Sequence, residues 1–120
     1  MDERVKKIVE TLTKGTKEKK IDWERTDRDR EYMVKLGNGV VTIDSWVGHD
    51  EDSGEDQHLA DIGFLSRSGE VIDRVTFSSS EYKDYRELIN LHDAARRNNL
   101  KVDQTLDEIL FEIERKIDEL

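Results

Sequence analysis

The chain has 120 residues and a mass of 14.1 kDa, close to the size of one domain. Apolar residues make up 34% and charged residues 41%, with 29 acids against 20 bases for a net charge of −9. The core must therefore be lean, and a polyphosphate is a disfavoured partner. Cysteine and proline are absent, which excludes disulfides, a thiol nucleophile, cysteine-based zinc sites and Pro-rich linkers.

Area scaling gives roughly 6,700 Å² exposed for a compact chain of this mass against about 20,400 Å² extended. About two-thirds of the surface can be buried, enough for one core. No apolar run approaches a membrane span, and Met1-Asp2-Glu3 does not begin a secretory signal. The expectation is one cytoplasmic domain with no membrane or nucleic-acid association.

In chain order, Val5, Ile8, Val9 and Leu12 fall at i, i+3, i+4 and i+7 and predict a helix over 2–14. Asp2 and Glu3 suit its start and Lys14 its end, with Gly15 to close it. Lys14, Lys17, Lys19 and Lys20 form a local basic stretch near Trp23, too few charges for nucleic-acid affinity. Residues 24–30 are densely charged and read as a solvated connection.

Tyr32, Val34 and Leu36 alternate with polar neighbours, as do Val41 and Ile43 beyond Asn38-Gly39. That pattern predicts a two-residue hairpin pairing Leu36 with Val41, Val34 with Ile43 and Tyr32 with Ser45. It leaves Met33, Lys35, Thr42, Asp44 and Trp46 on the outer face. Residues 48–57 read as an acidic loop. A third strand over 58–65 points Ala60, Ile62 and Phe64 to one side. Ser66 to Gly69 is turn chemistry, and a fourth strand over 70–77 carries a bulge near Asp73.

Ser78 and Glu81 read as a capping box for a second helix to about Arg97, with Tyr85, Leu88, Leu91, His92 and Ala95 as its inner stripe. Asn98-Asn99 can end it in the left-handed region. Asp103 is placed to cap a third helix, whose Leu106, Leu110, Ile113, Ile117 and Leu120 form a heptad-like seam widened by Ile109. The expected fold class is α+β: a four-stranded antiparallel β-meander with an N-terminal helix and two C-terminal helices packed on one face.

Three stretches carry a resemblance: Lys20-Ile21-Asp22-Trp23-Glu24, Ala94-Ala95-Arg96-Arg97, and Val102-Asp103 leading into Leu106-Asp107-Glu108-Ile109-Leu110. With them the chain is similar to small prokaryotic α+β proteins of unknown function that share this helix–meander–helix–helix order. The resemblance implies the fold and carries over no catalytic residue.

Four features invite a chemical reading. In the acidic loop His49–His58, Asp50 and Asp52 have the spacing of the first two ligands of an EF-hand, but Gly54 and Glu55 break the pattern. A hydrated divalent cation could visit; no specific metal follows. His92 could serve as a base near Tyr82 and Tyr85, yet no nucleophile accompanies it, and a hydrogen-bonded structural histidine is the plainer reading. Ser78-Ser79-Ser80 lacks the glycines of a nucleophile elbow. Gly37-Asn38-Gly39 opens no helix and is too short for a phosphate cradle. No catalytic, cofactor or metal residue is assigned.

The remaining candidates are for protein binding. Trp46 and Met33 sit on an otherwise wet sheet face, and Phe111 lies off the seam of the third helix. Residues 1–36 carry 11 bases and 9 acids and residues 37–120 carry 9 bases and 20 acids, so most of the chain would steer a basic protein partner. The reading favoured is a small cytoplasmic protein-binding or regulatory module without catalytic activity, of which antitoxin- or immunity-like neutralisation is one form. The alternative is a small-molecule-binding domain or enzyme with a pocket near His92. A homodimer through the third helix is a further expectation.

Overall fold

A computed structural model describes residues 1–119. The chain runs α1 (Glu3–Lys17), β1 (Glu24–Arg25), β2 (Tyr32–Leu36), β3 (Gly39–His49), β4 (Asp56–Leu65), β5 (Val71–Ser78), α2 (Tyr82–Asn99) and α3 (Val102–Asp118). The five strands form one antiparallel sheet in sequential order. The architecture is the expected α+β, with one strand more than the four predicted. The extra strand, β1, pairs Glu24 with Met33 and Arg25 with Tyr32 at the sheet edge. Both its residues are exposed, so no apolar alternation announces it.

The first hairpin differs from its prediction. Leu36 pairs with Gly39, Val34 with Val41 and Tyr32 with Ile43, so the turn is Gly37-Asn38. A Cβ on Gly39 would lie 2.5 Å from the Leu65 carbonyl oxygen. Gly39 therefore serves the close approach of β4, and the turn forms one position earlier. The slip is two residues in register, so every side chain keeps its predicted face.

The second hairpin is longer than predicted. β3 and β4 pair from Val40–Leu65 out to His49–Asp56, which shortens the acidic loop to 50–55. A register shift at Phe64/Leu65 leaves Ile72 unpaired between Val71 and Asp73, the bulge expected near Asp73.

The inner sheet face carries Tyr32, Val34, Val41, Ile43, Ala60 and Ile62, all buried. α2 lies across it with Leu88, Leu91 and Ala95, and α1 packs beside α2 with Val9 and Leu12. Trp23 plugs the junction of the two helix ends. Its indole N–H donates to Thr16 Oγ1 at 2.9 Å. Its backbone N–H donates to Asn98 Oδ1 at 2.8 Å and its carbonyl accepts from Asn99 Nδ2 at 2.9 Å. The two asparagines thus remain helical and clamp Trp23; the left-handed residue that ends α2 is Lys101, with φ 54°. At the end of α1 the same role falls to Lys19, φ 62°, because Gly15 stays in the helix.

Two predicted caps are used differently. Glu81 reaches back to the Ser78 N–H at 3.1 Å, but α2 begins only after Glu81. Asp103 lies inside α3, and its carboxylate takes Arg97 at 2.7 Å.

The largest departure is α3. Its apolar seam predicts packing on the sheet with α2, yet none of its described residues is buried and its main contact is with α2. The Cα radius of gyration is 17.4 Å, against about 13.6 Å for a compact chain of this length. The accessible surface, 8597 Å², likewise exceeds the roughly 6,700 Å² of a compact fold. Leu120, the last seam position predicted, lies outside the described residues.

Candidate functional site

Pairing across β2–β5 aligns Met33, Thr42, Gly63 and Arg74 in one row of the outer sheet face, then Asp44, Asp61 and Thr76, then Trp46, Leu59 and Ser78. Met33 and Trp46 share the predicted face but are separated by the charged middle row, so they form no continuous apolar patch. Both are half-buried.

Between them lies an ionic cluster. Arg74 Nη1 donates to both oxygens of Asp61, at 3.2 and 3.4 Å, and lies 4.0 Å from Glu31. Arg28, from the connection before β2, is 3.8 Å from both Glu31 and Asp44. Gly63 lies beside the cluster: a Cβ there would clash with Thr42 Oγ1 at 2.5 Å and would only touch the Arg74 guanidinium, at 3.5 Å. Glu31, Thr42, Asp44 and Asp61 are all buried.

Three carboxylates face two guanidiniums. Burial raises the Asp61 carboxyl above its ordinary 3.8; Arg74 opposes the rise, and Asp44 and Glu31 add to it. Glu31 Oε2 and Thr42 Oγ1 are buried without a hydrogen-bond partner. Raised carboxyls occur in active sites and in structural ion networks alike. Here both Asp61 oxygens are turned to Arg74, which suits an ion network bracing the face. The sequence holds a signal for it: Asp44 and Asp61 share the parity of outward residues in the two central strands, where a charge needs a partner.

The second surface is α3. Leu106, Ile109, Leu110, Ile113 and Ile117 form its stripe and remain 47–62% exposed. Full burial of each such side chain is worth about 1.5–3 kcal/mol, and about half of that is unrealised. Phe111 is 63% exposed on the opposite, polar side of the helix, so it does not join the stripe.

His92 is 9% exposed and engaged at both ring nitrogens. Nε2 donates to the Arg30 carbonyl at 2.6 Å, which leaves Nδ1 to accept from Ser45 Oγ at 3.4 Å. The Tyr32 ring packs 5.5 Å away, centroid to centroid. His92 thereby ties α2 to the connection that carries Arg28 and Glu31. Tyr82 is exposed and hydrogen-bonds Arg86.

In the acidic loop, Asp50 Oδ1 accepts from the Asp52 N–H at 3.0 Å and Gly54 supplies the positive φ. His49 Nδ1 lies 3.2 Å from Asp56 across the strand pair. No cluster of three His, Cys, Asp or Glu residues fit to hold a metal occurs among the described residues. A cleft of about 340 Å³ opens where α1, α2 and α3 meet, lined among others by Lys17, Lys19, Asp22, Arg97 and Lys101. None of the described helices is long and apolar enough to cross a membrane. Comparison of the chain with protein-family models, with curated proteins and with solved structures found no match.

Proposed function

We propose that this chain is a small cytoplasmic protein-binding or regulatory module that acts without catalysis of its own. The observation that carries the reading is the apolar stripe of α3: five aliphatic side chains on one helix face, about half exposed. Exposed apolar surface of that continuity on an otherwise highly charged protein marks an interaction site. Trp46 and Met33 serve as a secondary contact, weaker because the ion-paired row divides them. Neutralisation of a partner, as by an antitoxin or immunity protein, is one form this activity takes. The pocket reading around His92 has less support, since both ring nitrogens are already committed.

The test compares the tagged wild-type chain with a Leu110→Ala/Ile113→Ala variant, each used to capture proteins from the native lysate at moderate salt. Alanine keeps the helix and removes the stripe's centre. A protein recovered near stoichiometrically by the wild type and lost with the variant is the expected result. Identical recoveries with both, or recovery of the bait alone, would overturn the proposal.

A further inference from the structure

Between Val102 and Asp118, α3 carries six acids and two bases. Their placement is uneven. Asp103, Asp107, Glu114 and Asp118 recur at spacings of 4, 7 and 4, so they line one border of the apolar stripe along its whole length. The opposite border holds Thr105, Glu112 and Lys116. One acid of the continuous border already holds a guanidinium, since Asp103 takes Arg97 of α2 at 2.7 Å. Asp107, Glu114 and Asp118 have no ion pair among the described residues.

Resting on the protein-binding reading above, we infer that the occupant of the α3 stripe is a basic amphipathic helix of another protein, with lysines or arginines flanking its own apolar face. Two helices packed at a shallow angle keep their flanks in register over several turns. A partner with a basic flank meets the four acids of α3 in sequence, and charge complementarity then fixes its orientation and speeds its arrival.

A second copy fits the same stripe less well. Antiparallel pairing centred between Leu110 and Ile113 sets Leu110 against Ile113 and Leu106 against Ile117. It also places the Asp107–Glu114 border of one copy along the same border of the other, like charge on like charge. Parallel pairing sets those acids beside Ile109 and Lys116, which offers one base for the whole border. Each copy also brings a net charge of −9.

The experiment titrates the full chain into two dye-labelled synthetic helical peptides of about 20 residues, identical in their leucine stripe and flanked by lysines in one and glutamates in the other. Fluorescence anisotropy at about 0.15 M salt should show the lysine peptide binding at least about tenfold tighter. That binding should weaken as salt rises. Leu110→Ala/Ile113→Ala, which leaves the charge unchanged, should abolish it, separating docking from general attraction to an acidic surface. Asp107→Lys/Glu114→Lys/Asp118→Lys should invert the preference.

Equal binding of both peptides, or binding that survives Leu110→Ala/Ile113→Ala, would overturn the basic partner while leaving a binding module standing. A dimer in sedimentation that the same double variant dissolves would assign the stripe to a second copy instead. A monomer that binds neither peptide would remove both readings of α3.

Discussion

α2 and α3 are neighbours in sequence, similar in length and both amphipathic, yet they meet opposite fates. α2 buries Leu88, Leu91, His92, Ala94 and Ala95, whereas α3, with the more continuous aliphatic stripe, buries none of its described residues. The difference lies in what surrounds the stripe. The inner stripe of α2 is mixed, and its Leu88, Leu91 and Ala95 join the core shared with α1 and the sheet. α3 follows the left-handed Lys101 and leaves the core after the sheet face has already been covered. Amphipathicity thus reports a face that requires a partner; whether the partner belongs to the same fold is decided by the surface still available.

The contrast can be broken most directly by truncating equivalent leucines. Leu91→Ala is expected to cost about 2–5 kcal/mol of stability in urea melts, because its site is closed on all sides. Leu110→Ala is expected to change stability by no more than about 0.5 kcal/mol, the range of exposed positions. A large loss at Leu110 would mean that α3 packs on the body of the protein. Next in size is the mount of α3: Asn98→Ala/Asn99→Ala removes two hydrogen bonds to the Trp23 backbone, at about 1 kcal/mol each. An unchanged melting temperature would show that Trp23 is held by packing alone.

The two sheet faces repeat the contrast on a smaller scale. The inner face is apolar, whereas the outer one buries polar groups with incomplete pairing. Thr42→Val replaces a buried hydroxyl that has no partner and should stabilise the protein by about 1 kcal/mol. Destabilisation would show that the hydroxyl is satisfied in solution. The smallest effect is electrostatic. Because burial raises the Asp61 carboxyl above 3.8, the folded chain holds that proton more tightly than the unfolded one. Stability contributed at this site is therefore full below the ordinary carboxyl range and falls as pH climbs through the raised value. Asp61→Asn should flatten the stability profile across that interval in urea melts at stepped pH. A profile as steep as that of the wild type would place the slope elsewhere.

Much of the fold was legible in the sequence because period and parity survive small slips. Most inner residues of β2–β4 and of α1 and α2 are those the alternation and helical spacing select, even where the hairpin turn falls one position early. Leu36, which the alternation also turns inward, is 51% exposed at the end of its strand, and Thr16 and Ala94 are buried outside the pattern. Glycine misled at Gly39, where the residue answers a carbonyl of a neighbouring strand, a contact invisible in local sequence. β1 escaped because its two exposed charged residues carry no pattern. For the candidate surfaces, the α3 seam was readable but its lack of a covering layer was not, since that depends on how far α2 and α1 extend over the sheet. Trp46 and Met33 lie on the outer face that the alternation selects. The ion cluster that separates them depends on cross-strand neighbours, which only the register reveals.

The clamp at Trp23 bears on the geometry of any complex. A helix of 17 residues reaches about 25 Å from its base, so a tilt of about 10° at the base moves its tip by roughly 4 Å. Asn98 and Asn99 anchor that base two residues before the helix departs. If α3 is the docking face, the direction in which it points depends on its base as well as its stripe: on the Arg97–Asp103 pair at 2.7 Å and on Thr16, Trp23, Asn98 and Asn99 at the adjoining junction of α1 and α2.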